Sequence, residues 1–133
     1  MFIEQPPWFF RAIYPDAIFR MDPDEKAVYL TFDDGPIPEV TPWVLELLDK
    51  HNIKATFFMV GDNIRKHPDV FRMVVERGHR IGNHTFNHIR GFEYLSDNYL
   101  ANTDKANELM KAAAKATYGK KGDKIVQMNY DAI

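Results

Sequence analysis

The sequence reads as an α/β fold with parallel strands, and three observations say so. Short runs rich in apolar, β-branched and aromatic residues, Ala27–Leu30 and Ala55–Val60, alternate with stretches whose apolar residues recur at helical spacing. The second run is almost wholly apolar, the pattern of a strand covered on both faces. Chemistry-bearing side chains fall where strands end: Asp33-Asp34 before Gly35-Pro36, and His84 after Arg80–Asn83.

Residues 1–25 mix aromatics with prolines and close on the turn-like Asp22-Pro23-Asp24-Glu25. Trp8, Phe9 and Phe10 are expected to pack across the domain as an aromatic cover, in preference to a sugar-stacking platform. Ala27–Leu30 is expected as the first buried strand, ending just before the acids. Thr41-Pro42 then starts a helix, threonine as N-cap and proline in the first turn. Val44, Leu47 and Leu48 mark its apolar face, and His51-Asn52 end it. After the strand Ala55–Val60, Pro68 opens a helix with Phe71, Val74 and Val75 inward and Gly78 at the C-terminal cap. The strand Arg80–Asn83 delivers His84. Ser96 is the expected N-cap of a long helix that gathers Ala106, Leu109, Met110, Ala113 and Ala114 on one side. Gly119–Asp123 reads as a turn and Ile125–Tyr130 as a last strand.

Strand, helix, strand in succession implies right-handed parallel crossovers. Loops after the C-terminal ends of such strands gather at one face, so Asp34 and His84 can meet although fifty positions separate them. The 133 residues suffice for one domain with its own core. A net charge of -2 and a pI near 6.2 leave no basic footprint for nucleic acid. The absence of cysteine excludes disulfides and thiolate metal sites. No apolar run approaches the ~18 residues of a membrane span, and no basic opening leads into a signal-length apolar run. With no signal peptide seen, the expectation is a cytoplasmic or an unknown location.

Adjacent side chains at a strand end are splayed by the pleat, so one acid of the pair Asp33-Asp34 can bind a metal while the other faces the reacting centre. His84 and His88, four positions apart, can grip one ion. With Asp34 they offer one oxygen and two nitrogens, a set suited to a divalent cation such as zinc with a coordination position left open. Each residue also has an ordinary reading: the aspartates as caps of a turn and a helix, the histidines as surface groups. A phosphatase of the haloacid dehalogenase type would space its acids by one residue, and these are adjacent. A two-histidine, one-carboxylate iron oxygenase uses the same ligand types. His51, His67 and His79 are taken as structural or exposed.

Thr31-Phe32-Asp33-Asp34-Gly35-Pro36 and His84-Thr85-Phe86-Asn87-His88 resemble the first two motifs of the polysaccharide deacetylase family, the NodB homology domain of carbohydrate esterase family 4. Lys54-Ala55-Thr56-Phe57-Phe58 and the segment Arg77–His84 resemble that family too, in order and spacing. The likeness covers residues 26–100 well, and 101–133 diverge. It implies a single NodB-like domain, a partial or shortened irregular (β/α) barrel, since a complete barrel of alternating strands and helices takes about 200 residues or more. It further implies a metal-dependent hydrolase that removes acetyl groups, mainly N-acetyl, from an acetylated carbohydrate polymer. Asp33 would be the base, and Asp34, His84 and His88 would hold Zn2+, with Co2+ or Ni2+ as alternatives. The family's third motif, arginine and prolines before tyrosine and glycine, has Lys115-Ala116-Thr117-Tyr118-Gly119 as its nearest counterpart. By that likeness Lys115 and Tyr118 would contact substrate, and the Tyr118 N–H would stabilise the oxyanion. The family's aspartate and tryptophan segment is echoed by Met128-Asn129-Tyr130-Asp131, and its leucine-histidine motif, which carries the general acid, has no counterpart. The alternative is therefore a catalytically impaired metal- or carbohydrate-binding remnant, or an engineered minimal scaffold of the same family. Uncovered strand edges of a partial barrel would favour a homodimer.

Overall fold

Three short strands carry the fold: β1 (Thr31–Gly35), β2 (Thr56–Met59) and β3 (Arg80–Asn83), in the order β1-β2-β3. Both pairings are parallel, with Phe32, Phe57 and Ile81 abreast in one row. The computed structural model describes residues 7–13, 15, 21–22 and 24–122. A short helix α1 (Trp8–Ile13) precedes the sheet. Helix α2 (Thr41–Lys50) joins β1 to β2, while α3 (Gly61–Lys66) and α4 (Pro68–Glu76) join β2 to β3. A 3-10 turn (Gly91–Glu93) then leads into α5 (Ser96–Tyr118). The expected parallel α/β architecture is thus what forms.

Alternation along the strands separates two faces. Phe57, Met59 and Ile81 turn to the helices and are buried, with Phe32 stacked on Phe57 at 5.0 Å between ring centroids. Leu45 and Leu48 of α2, Phe71 and Val74 of α4, and Met110 and Ala114 of α5 complete this core. Pro68 stands in the first turn of α4, where its missing N–H costs nothing, and Gly78 just beyond takes the left-handed conformation (φ 72°) expected there. On α5 the buried residues Ala106, Met110 and Ala114 recur every four positions, and Leu109 and Ala113 flank them half-buried.

Several expectations are corrected. Ala27–Leu30 is not a buried strand: Val28 is 86% and Tyr29 52% exposed, and pairing begins where the Leu30 carbonyl accepts from Thr56 N. Both aspartates consequently lie inside β1 rather than after it. The apolar run at 55–60 is not covered on both faces, for Thr56 and Phe58 are half-buried while Phe57 and Met59 are buried. Thr41 is the first residue of α2, not its cap; its Oγ1 accepts from Ile37 N at 2.9 Å and closes the preceding turn. Ser96 likewise lies within α5, Leu95 holding the cap position. Trp8 and Phe9 stand edge to face with each other at exposed positions. Gly119 ends α5 with φ 58°, and residues 120–122 are helical instead of a turn. The strand expected at Ile125–Tyr130 lies outside the described residues.

Candidate metal centre

The first candidate ligand, Asp34, is placed by an irregularity in β1. Asp33 pairs with Phe58 and Gly35 with Met59, so Asp34 is an extra residue in the ladder, a bulge held in the left-handed region at φ 69°. The bulge, rather than the pleat alone, makes the two acids diverge. Asn63 of α3 braces it, its Nδ2 donating to the Asp34 carbonyl at 2.8 Å. Asp33 shares its row with Phe58 and Gly82, on the face opposite the helix-covered core, and is exposed.

The other two ligands come from the end of β3. His84 N donates to the Met59 carbonyl at 3.0 Å and so continues the ladder by one step. The chain then turns through Thr85 (φ 62°) and His88 (φ 57°), both left-handed. Asn83 Oδ1 accepts from Thr85 N at 2.7 Å, and Thr85 Oγ1 accepts from Ile89 N at 3.0 Å. The first residues of α3 grip the same loop, Gly61 N donating to the Thr85 carbonyl and Asp62 N to that of Phe86. As a result His84 Nε2 lies 3.2 Å and His88 Nε2 3.0 Å from one oxygen of Asp34, with the two imidazole centroids 4.9 Å apart.

These three ligand atoms lie within 4.8 Å of one another. Each side chain keeps part of its surface open, from 33% for His84 to 58% for Asp34 and His88. Beside them a depression of about 360 Å³ runs between Asp34, Ile37, Asp62, Asn63 and His88. One carboxylate oxygen and two imidazole nitrogens, converging and accessible, fit a borderline divalent cation with room for a further ligand.

Lys115 and Tyr118 are not brought to this site. Tyr118 ends α5, whose top contacts the metal loop through Asn102; at ~1.5 Å per helical residue the two lie about 24 Å apart along the axis. Tyr118 packs against the core, its hydroxyl buried without a hydrogen-bond partner. Burial raises its pKa, with Glu76 of α4 adding to the rise and Arg72 opposing it. Its N–H belongs to a helix rather than to a loop facing the aspartates, and Lys115 is exposed one turn earlier.

His79 is structural, as expected. It is buried, its Nδ1 accepts from Ala55 N at 3.2 Å, and its ring stands edge to face on Phe57. Burial lowers its pKa from the ordinary 6.5, Lys54 and Arg77 push the same way, and Asp49 opposes them. The residues that sequence reasoning missed are the asparagines Asn63, Asn83 and Asn102, which hold backbone around the ligands. Their only signal in the sequence is an affinity of short amides for turns, which does not say which turn.

Parallel strands with helical crossovers and a carboxylate–imidazole cluster gathered at their C-terminal ends define an α/β protein with a candidate metal site at that face of the sheet. The particular family follows from comparison. The polysaccharide deacetylase family model matches residues 20–124. A peptidoglycan-N-acetylglucosamine deacetylase of Bacillus cereus is 43% identical over 93 residues, which cover 69% of this chain and 34% of that protein. A chitooligosaccharide deacetylase of Rhizobium leguminosarum bv. trifolii is 46% identical over 65 residues, 49% of this chain and 30% of the relative. Among solved structures, the Bc1960 peptidoglycan N-acetylglucosamine deacetylase superposes with a TM-score of 0.66 at 40% identity, covering 68% of this chain and 42% of the other. Peptidoglycan deacetylase PdaC from Bacillus subtilis gives the same TM-score at 29% identity, with 71% and 46% covered. The chain belongs to the polysaccharide deacetylase family. It spans about a third of the length of these curated relatives, and its three-stranded sheet corresponds to part of the NodB-type barrel.

Proposed function

We propose that this chain is a metal-dependent deacetylase unit that hydrolyses N-acetyl groups on an N-acetylglucosamine-containing polymer. The observation that carries the reading is the convergence of Asp34, His84 and His88; a second acid, Asp33, precedes Asp34 directly in β1. Relatives that act on peptidoglycan and chitooligosaccharides support the choice of substrate.

Asp34, His84 and His88 would hold the cation, zinc by donor preference, with cobalt or nickel able to use the same set. When bound, such an ion polarises the acetyl carbonyl and lowers the pKa of water. Asp33 accepts a proton as the water oxygen bonds to the carbonyl carbon. Rupture of the carbon–nitrogen bond leaves acetate and a free sugar amine, and the protonated Asp33 returns its proton to the amine nitrogen. The depression beside the ligands gives the acetyl group an approach from solvent.

The test is acetate release from N-acetylglucosamine oligomers with added zinc, in the parent chain and in Asp33→Asn. Removal of a general base should lower the rate by about 10²- to 10⁴-fold while zinc binding persists. Release that ignores both the substitution and a chelator would contradict the reading, as would stoichiometric zinc without any acetate above the Asp33→Asn background.

A further inference from the structure

We propose that Asn102, on the outer helix α5, is a positioning residue for the metal centre: it latches the loop between the two histidine ligands in its ligating shape. The inference rests on the metal-centre reading above and extends it to a residue that no motif contains.

Between His84 and His88 the backbone N–H groups of Thr85, Phe86 and Asn87 are all taken by side-chain amides. Asn83 Oδ1 accepts the first at 2.7 Å. Asn102 Oδ1 accepts the next two, from Phe86 N at 2.7 Å and Asn87 N at 3.1 Å. Asn102 Nδ2 donates in turn to Asn87 Oδ1 at 3.0 Å. One side chain therefore satisfies two consecutive loop donors and orients the side chain of Asn87, the residue just before His88.

The latch matters because the loop adopts a conformation that it would not choose alone. Thr85 and His88, neither of them glycine, both have positive φ. Such residues persist where surrounding contacts over-determine them, and here local side-chain bonds are joined by contacts from α3 and from Asn102 on α5. Asn102 stands one turn before Ala106, which is fully buried against the N-terminus of α3, and two turns before the buried Met110. The same helix is tied to β3, since Asn83 Nδ2 donates to the Thr103 carbonyl and to Asn107 Oδ1. A rigid helix thus fixes the spacing and direction of the imidazoles before any ion arrives. Groups that orient ligands in this way commonly change metal affinity by about 10- to 100-fold when removed.

The experiment measures zinc affinity by competition with a chromophoric chelator, together with the visible spectrum of the cobalt-loaded chain. Asn102→Leu keeps the size and removes both functions of the amide; it should weaken zinc binding by about 10- to 100-fold and alter the cobalt spectrum. Asn102→Asp retains the acceptor for both N–H groups and should stay close to the parent. Asn87→Ala removes only the outer pair and should have a small effect. Ala114→Gly, three turns further along α5, loosens the helix without touching the loop and serves as the control for general destabilisation. Parent-like affinity and spectrum in Asn102→Leu would overturn the inference, as would an equal loss in Ala114→Gly or in Asn102→Asp. A parent chain that binds no zinc would instead overturn the metal-centre reading itself, and this inference with it.

Discussion

Asp34 reaches the two imidazoles because a bulge gives it a left-handed backbone inside a strand, while Asp33 keeps its place in the ladder. Spacing in the sequence was enough to single out Asp34, His84 and His88, since residues at strand ends converge in parallel α/β folds. Lys115 and Tyr118 rested instead on a likeness to the family's third motif, and that short tyrosine-glycine echo sits at the far end of α5 from the loop that holds the histidines. A different residue-scale effect belongs to His79. Its pKa is lowered in the folded chain, so the unfolded chain takes up the proton first as the pH falls. The stabilising contribution of neutral His79 is complete above about 6.5 and is lost as the pH falls from there through the folded-state value. Thermal unfolding followed by circular dichroism, with chelator present, should show the melting temperature falling from pH 7.5 to 5.5. In His79→Gln, whose amide can still accept from Ala55 N, that part of the fall should vanish; an unchanged pH dependence would contradict the assignment.

At the scale of elements, periodicity located α2, α4 and α5, since each buries a regular stripe, and the glycine cap after α4 marked where β3 could begin. Helix α3 was not foreseen, since its six residues, Gly-Asp-Asn-Ile-Arg-Lys, hold a single apolar anchor in Ile64 and show no apolar stripe. Its role is nevertheless specific, as its first two N–H groups hold the metal loop and Asn63 holds Asp34. Close approach there depends on Gly61: a Cβ would lie 2.7 Å from a ring carbon of Phe86 and 3.1 Å from Cβ of Ala106. Gly61→Ala should therefore cost about 1–3 kcal/mol in chemical denaturation, the range for overpacked sites. It should also weaken zinc binding, because Phe86 lies in the loop between the histidine ligands. A variant as stable as the parent would show that α3 and α5 can separate without loss.

At the scale of the whole molecule, the helices cover one face of the sheet, and β1 and β3 are each paired on one side only among the described residues. The three strands were foreseeable as parallel, but the beginning of β1 was not. Val28 and Tyr29 have strand-forming side chains, yet ladder pairing starts only at Leu30, with the neighbour β2. No helix among the described residues is long and apolar enough to cross a membrane. The topology brings the C-terminal ends of β1 and β3 together, with β2 between them, and on that meeting the proposed metal centre depends. The most direct measurement is the number of zinc ions retained per chain after dialysis, for the parent, His84→Ala and His88→Ala. One ion in the parent and a sharply reduced content in both variants, with the fold retained by circular dichroism, is the result that the convergence of these ligands requires. Zinc retained equally by all three proteins, or by none, would contradict it.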